Sequence, residues 1–311
     1  MSERSRIRSL AAIFAGVNGA GVRTSIGDDA AVLMPPPGEL VVTVDEQVEG
    51  THFRREWLAL EDVGYRSTIA AASDVAAMGA APWVILAALV LPATMSDAEV
   101  DKLARGQRAA SLELGAPIVG GNLARGPALT IATTVLGVLG PDEHAVTRSG
   151  AAPGDGLWLA GMVGLAAAGV RALLADVPAD AEALFAWRRP RALVAEGRRM
   201  RGIAHAAVDI SDGLAGDAAH LARASGVKAV FDGAAVDALA SHPAIARAAA
   251  TLGVPKRDIV LAGGEDYALL CASPGAIAGF VRIGECAVGE GVVVRDGGVD
   301  VAVERGFDHF E

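Results

Sequence analysis

The sequence predicts an α/β (α+β) protein of two domains, and three observations carry that reading. Continuous and period-2 apolar runs alternate with alanine-rich stretches of helical spacing. The chain has 311 residues, more than a single core usually organises. A Gly/Pro-rich stretch, TRSGAAPGDG at 147–156, separates two such blocks, so the domains are expected at 1–146 and 147–311.

The elements follow in order. MSERSRIRSLAAIFAG is basic, then apolar, and runs on without an export cleavage site, which reads as an amphipathic first helix. Strands are expected at 30–34 and 40–44, joined by a PPPGE turn that would pair them antiparallel and set Asp29 opposite Asp45. A helix over 61–78 is stopped by Gly79 and Pro82, and a strand at 83–91 follows. Ser96 with Glu99 three residues on is a capping box, opening a helix that ends at Gly115. Strands at 117–119 and 129–139 complete the first block. In the second, a helix over 213–225 closes at Gly226, with Ser211 or Asp212 as its N-cap, and late strands are read at 259–261 and 267–271.

Composition narrows the function. Hydrophobic residues at 52% and charged ones at 21% exclude a disordered class. A formal net charge of −10 leaves no basic surface for nucleic acid. The apolar run at 80–93 contains Pro82 and falls short of a membrane span. Cys271 and Cys286 are the only cysteines, too few for a disulfide framework or a Cys-type zinc site, which fits a reducing cytoplasm. The three lysines, Lys102, Lys228 and Lys256, form no P-loop, and no GxSxG or HExxH occurs.

The informative residues are acids beside glycines. Asp28 and Asp29 follow Gly27 and lead into an apolar run, and the expected hairpin brings Asp45 to the same end. Like charges there destabilise a sheet unless a cation intervenes. Asp74 falls on the small-residue stripe of its helix with Val63, Ser67 and Ala70, where an unpaired carboxylate is costly. Asp209 ends an apolar strand, ahead of Ser211 and Asp212. VGGNLARG at 119–126 reads as a turn whose Gly120, Gly121 and Asn122 suit backbone contact with phosphate oxygens. LAGGEDYALL at 261–270 reads as a second glycine turn leaving a strand. His52 is the one histidine singled out, against the bland reading of a hydrogen-bonded structural residue. Many Asp and few Lys point to Mg²⁺ carrying the charge of a nucleotide's phosphates.

These motifs have a familiar order. GDDAAVL, TVDEQVEGTHF, SDVAAMGA, VGGNLARG, TRSGAAPGD, DISDGLAGD, GGEDYALL and the terminal GFDHF together resemble the thiamine-monophosphate kinase family, over nearly the whole chain. The resemblance implies an aminoimidazole ribonucleotide synthetase-like fold. Its N-terminal domain would form a dimeric sheet or barrel and bind ATP and Mg²⁺, and its C-terminal α/β domain would complete the active site. The implied reaction is direct transfer of the ATP γ-phosphoryl group to thiamine phosphate, in a cytoplasmic homodimer.

Carried over by motif, Asp28, Asp45, Asp74, Asp209 and Asp212 resemble Mg²⁺ ligands for several ions, with Asp29 beside them. Thr43 and Ser211 would join metal or ATP contacts, and Gly121, Asn122 and Arg148 would hold nucleotide phosphates, with Arg148 countering charge as it develops. His52, Glu265 and Phe307 would face thiamine phosphate. The sequence departs from the family where GGD-T-T-R-G becomes GGN-L-A-R-G, with Asn122 for Asp, and at Val44, commonly Thr. A relative acting on another acceptor, or a nucleotide-binding homologue impaired in catalysis, are the alternatives this leaves open.

Overall fold

A computed structural model describes residues 3–17 and 19–303. It divides into two compact units, Met1–Val75 with Ala80–Glu143, and Ala76–Gly79 with His144–Glu311.

The first unit runs α1 (Glu3–Phe14), β1 (Val22–Thr24), β2 (Val32–Leu33), β3 (Leu40–Val48), α2 (Leu60–Ala77, its last residues counted with the second unit), β4 (Ala81–Leu91), α3 (Asp97–Leu114), β5 (Ile118–Arg125) and β6 (Thr130–Val138). Its four-stranded sheet has the order β3-β6-β4-β5. The β3–β6 and β4–β6 pairs are antiparallel, and β5 lies parallel to β4 at the edge. The expected capping box is present at Ser96 and Glu99, and Gly115 closes α3 in the left-handed conformation, φ 64°. The amphipathic α1 packs on α3 and buries Leu10 and Phe14, with Arg6 Nε donating to Asp97 at 2.6 Å and Ser9 Oγ to Asp101 at 2.8 Å.

The expected hairpin between 30–34 and 40–44 does not form. β2 is two residues long and pairs with β1, whereas β3 pairs with β6 over nine residues, from Leu40 opposite Val138 to Val48 opposite Thr130. Asp45 therefore faces Thr133, not Asp29. Pro35, Pro36 and Pro37 supply no backbone N–H, and a long alternating strand gains more from an equally long partner than from the short β2. VGGNLARG is likewise not a turn: it continues through β5 to Arg125. A Cβ on Gly121 would overlap the Ala87 carbonyl oxygen of β4, so the glycine serves close strand approach.

The second unit runs β7 (Gly156–Ala160), α4 (Leu165–Leu174), α5 (Ala181–Arg188), α6 (Val194–Met200), β8 (Ala206–Ile210), α7 (Leu214–Ser225), β9 (Lys228–Asp232), α8 (Gly233–Ala240), α9 (Pro243–Leu252), α10 (Lys256–Leu261), β10 (Ala268–Ser273), β11 (Val281–Ala287), β12 (Val292–Asp296) and β13 (Val299–Ala302). The strand order is β13-β12-β9-β11-β7-β10-β8, all antiparallel except β12 beside β9. Every residue of β8 and β10 is buried, because both faces of this part of the sheet are covered: Val208, Ile210 and Leu270 belong to one apolar cluster, Ala207, Leu269 and Cys271 to another. The segment 259–261, expected as a strand, is the end of α10. Three apolar residues in a row carry no period that separates strand from helix.

Candidate active site

In the first unit, alternation along β3 decides which side chains face inward. Val41 and Gln47 are buried and Thr43 and Asp45 half-buried, while Leu40, Val42 and Val44 point outward at 46, 63 and 65% exposure. Thr43 Oγ1 donates to Asp74 Oδ2 at 2.5 Å, joining β3 to α2. Asp74 is half-buried, and the partner the chain offers it is this hydroxyl rather than an arginine. Asp45 Oδ2 accepts from Gln47 Nε2 at 3.2 Å. Gln47 Oε1 and the hydroxyl of Thr133, across the ladder from Asp45, are buried and have no hydrogen-bond partner among the described residues. Such atoms call for water or a ligand shell.

Asp28 and Asp29 are exposed, and Asp28 Oδ1 accepts the Asp29 amide at 2.9 Å. His52 Nδ1 accepts the Val48 amide at 3.0 Å, so Nε2 is the nitrogen that carries the proton of the neutral ring. Gly120, Gly121 and Asn122 lie on edge strand β5, with Gly121 and Asn122 exposed.

In the second unit, Asp209 is buried near the end of β8, and Ser211 and Asp212 occupy the turn into α7. The expected side-chain N-cap is absent: Gly213 takes that position, and Asp217 reaches back from the first turn of α7 so that its Oδ2 accepts the amides of Ser211 and Asp212, each at 3.0 Å. Burial, with Asp209 close by, pushes the Asp217 carboxyl up to about 8.

The GGEDY loop is fastened to the same turn. Glu265 N donates to Ser211 O and Tyr267 N to Ile210 O, both at 2.8 Å. A Cβ on Gly264 would overlap the Ser211 carbonyl oxygen, which explains why glycine stands there. Glu265 and Tyr267 hold left-handed backbone, φ 70° and 51°, and Tyr267 Oη donates to Glu265 Oε2 at 3.0 Å. Asp266 accepts Gly164 N at 2.6 Å and Ala166 N at 2.9 Å, and desolvation pushes its carboxyl up to about 7. Arg148 is exposed, its carbonyl accepting Ser225 Oγ at 3.0 Å. Phe307 lies outside the described residues.

The structure thus brings together Thr43 with Asp74, and Asp209, Ser211 and Asp212 with Glu265. Among the described residues, no three His, Cys, Asp or Glu side chains converge tightly enough to enclose a metal ion by themselves. Mg²⁺ does not need such a cage, because it is commonly bound by one or two carboxylates, with phosphate oxygens and water completing the shell. The hard oxygen donors and these buried polar atoms beside Asp45 fit that pattern. Sequence reasoning missed Gln47, Thr133, Asp217, Asp266 and Tyr267; the one available signal was an acid embedded in each of GLAGD and EDYALL. The cysteines offer no rival chemistry, since burial pushes both thiols up to about 12.

Comparison with known proteins places this architecture. Residues 27–139 match the family model for the N-terminal domain of AIR synthase related proteins, and 152–279 match the C-terminal one. Thiamine-monophosphate kinase of Mycobacterium tuberculosis is 37% identical, over 87% of this chain and 81% of that protein. The enzyme of Salmonella typhimurium is 34% identical, over 93% and 92%. Among solved structures, thiamine-monophosphate kinase of Stenotrophomonas maltophilia superposes with a TM-score of 0.79 at 32% identity, covering 93% of this chain and 94% of that one. AaThiL complexed with AMPPCP and TMP gives 0.79 at 31%, covering 92% of each. The chain is a member of the thiamine-monophosphate kinase family.

Proposed function

We propose that the protein transfers the γ-phosphoryl group of ATP to the phosphate of thiamine phosphate, giving thiamine diphosphate. The observation that carries the reading is a set of hard oxygen donors held on fixed backbone, in a chain 31% identical to AaThiL bound to AMPPCP and TMP.

In the first unit Asp45 and Asp74, with Asp28 and Asp29, are the acids that would hold Mg²⁺, and Thr43 orients Asp74. In the second, Asp209 and Asp212 take the same part beside Ser211. Bound Mg²⁺ supplies neutralisation of the phosphate charge. Gly120, Gly121, Asn122 and Arg148 receive nucleotide phosphates, and Arg148 counters charge as the phosphoryl group moves. His52, through Nε2–H, and Glu265 face thiamine phosphate. No general base is required, because a phosphate monoester is largely dianionic at neutral pH. Positioning and electrostatics then account for the reaction, with no covalent enzyme intermediate.

The reading extends to a cytoplasmic homodimer. Leu40, Val42 and Val44 form an exposed apolar row on edge strand β3, and covering it with a second copy removes both an apolar patch and an open sheet edge. Sedimentation should show a dimer that Val42→Glu dissociates; a monomeric wild type refutes this part. The activity is tested with purified protein, ATP, Mg²⁺ and thiamine phosphate. Thiamine diphosphate should form; ATP binding by calorimetry without turnover overturns the proposal.

A further inference from the structure

DISDGLAGD and GGEDY each contain a carboxyl group that is directed onto backbone. Asp217, 3% exposed, uses a single oxygen, Oδ2, to accept both Ser211 N and Asp212 N at 3.0 Å. Asp266 uses two: Oδ2 accepts Gly164 N at 2.6 Å and Oδ1 accepts Ala166 N at 2.9 Å. Amides at or just before a helix start have no intrahelical partner, and a carboxyl oxygen directed onto them supplies the missing acceptor. The consequence lies in the neighbours. Fixing the Ser211 and Asp212 amides fixes the turn from which Asp212 projects. Fixing Asp266 holds the residues on either side of it, Glu265 and Tyr267, at φ 70° and 51°, conformations a side-chain-bearing residue keeps only when its surroundings determine them.

We infer that Asp217 and Asp266 are positioning residues, which set where Asp212 and Glu265 stand and do not themselves contact a ligand. The inference rests on the kinase reading only for what Asp212 and Glu265 bind.

The two binding modes respond oppositely to one substitution. Asparagine has one acceptor oxygen and one NH₂ group. In Asp217→Asn that oxygen takes the place of Oδ2 and still serves both amides. In Asp266→Asn one amide must face an NH₂ group. The experiment is amide hydrogen exchange over 209–217 and 163–167 in wild type, D217N, D217A and D266N, with the Mg²⁺ half-saturation of thiamine phosphate phosphorylation measured alongside. D217N should leave exchange and half-saturation within about twofold of wild type. D217A should accelerate exchange at Ser211 and Asp212 by about tenfold or more, and D266N should do so at Gly164 or Ala166, as expected for a buried amide left without an acceptor.

D217N matching D217A in exchange overturns the one-oxygen anchor. D217N with slow exchange but a tenfold weaker Mg²⁺ response makes Asp217 a ligand and also overturns the inference. If D217A does not fold, Asp217→Ser replaces it with the same expectation. A wild type without kinase activity removes the functional reading, and the exchange data still decide the anchoring.

Discussion

In the first unit Asp74 and Asp45 meet side-chain donors, whereas in the second Asp209 and Asp212 stand on a stretch of backbone that is itself held by hydrogen bonds. Asp74 accepts from the Thr43 hydroxyl and Asp45 from the Gln47 amide, both donors on β3. Asp209, Ser211 and Asp212 instead sit on a strand end whose carbonyls receive Glu265 N and Tyr267 N and whose turn amides are bound by Asp217. The first arrangement can be unpicked one side chain at a time. The second is preorganised by main chain and yields only when a ligand or an anchor is removed.

The largest effect should come from the ligand itself in the better organised region. Asp209→Asn keeps the shape but removes the charge from a buried strand end, and kcat for thiamine phosphate should fall by at least about 100-fold, with the melting temperature little changed. Steady-state kinetics check this, and a variant with more than a tenth of wild-type kcat breaks the assignment. Thr43→Val should come next. It preserves the β-branched shape of a strand residue while deleting the donor to Asp74, so the Mg²⁺ concentration for half-maximal rate should rise about 10- to 100-fold. An unchanged Mg²⁺ titration would mean that the hydroxyl serves packing alone.

The anchors also give the second unit a pH signature. Asp266 and Asp217 have folded-state values raised to about 7 and about 8 from 3.8, so the folded chain holds protons that the unfolded chain releases. Their contribution is complete below about pH 4 and is lost as pH rises through 7 and 8. Without divalent cations, the melting temperature should therefore fall by a few degrees between pH 6 and 9, and Asp266→Asn should flatten the part of that slope near pH 7. Differential scanning calorimetry decides it, and a wild type whose melting temperature rises across that range contradicts the burial argument.

The same contrast explains what could be read from the sequence. α3 was legible because its Ser96/Glu99 box and Gly115 are local signals, and α7 because Gly226 marks its end. The partner of β3 was not legible, because β6 lies some ninety residues away and only its matching length and alternation select it over β2. The glycines of VGGNLARG suggested a turn, yet Gly121 serves close approach to Ala87 inside an edge strand. The acids themselves stood out. Their anchors did not, because the amides that Asp217 and Asp266 accept belong to the backbone and leave no mark in the residue pattern.

The smallest effect separates charge from geometry at Asn122. Asn122 is exposed on edge strand β5, paired in register with Ala88, so a side-chain change there disturbs neither core nor ladder. Asn122→Asp is nearly isosteric and adds one negative charge to a solvated strand. Screening by water limits the gain, so Mg²⁺ half-saturation should tighten by only about two- to threefold with kcat unchanged. Weaker Mg²⁺ response in N122D would show that Asn122 meets a phosphate directly, where an added charge repels. A gain of tenfold or more would show that the site lacks charge, and that the first unit depends on single side chains even more than Thr43 and Gln47 suggest.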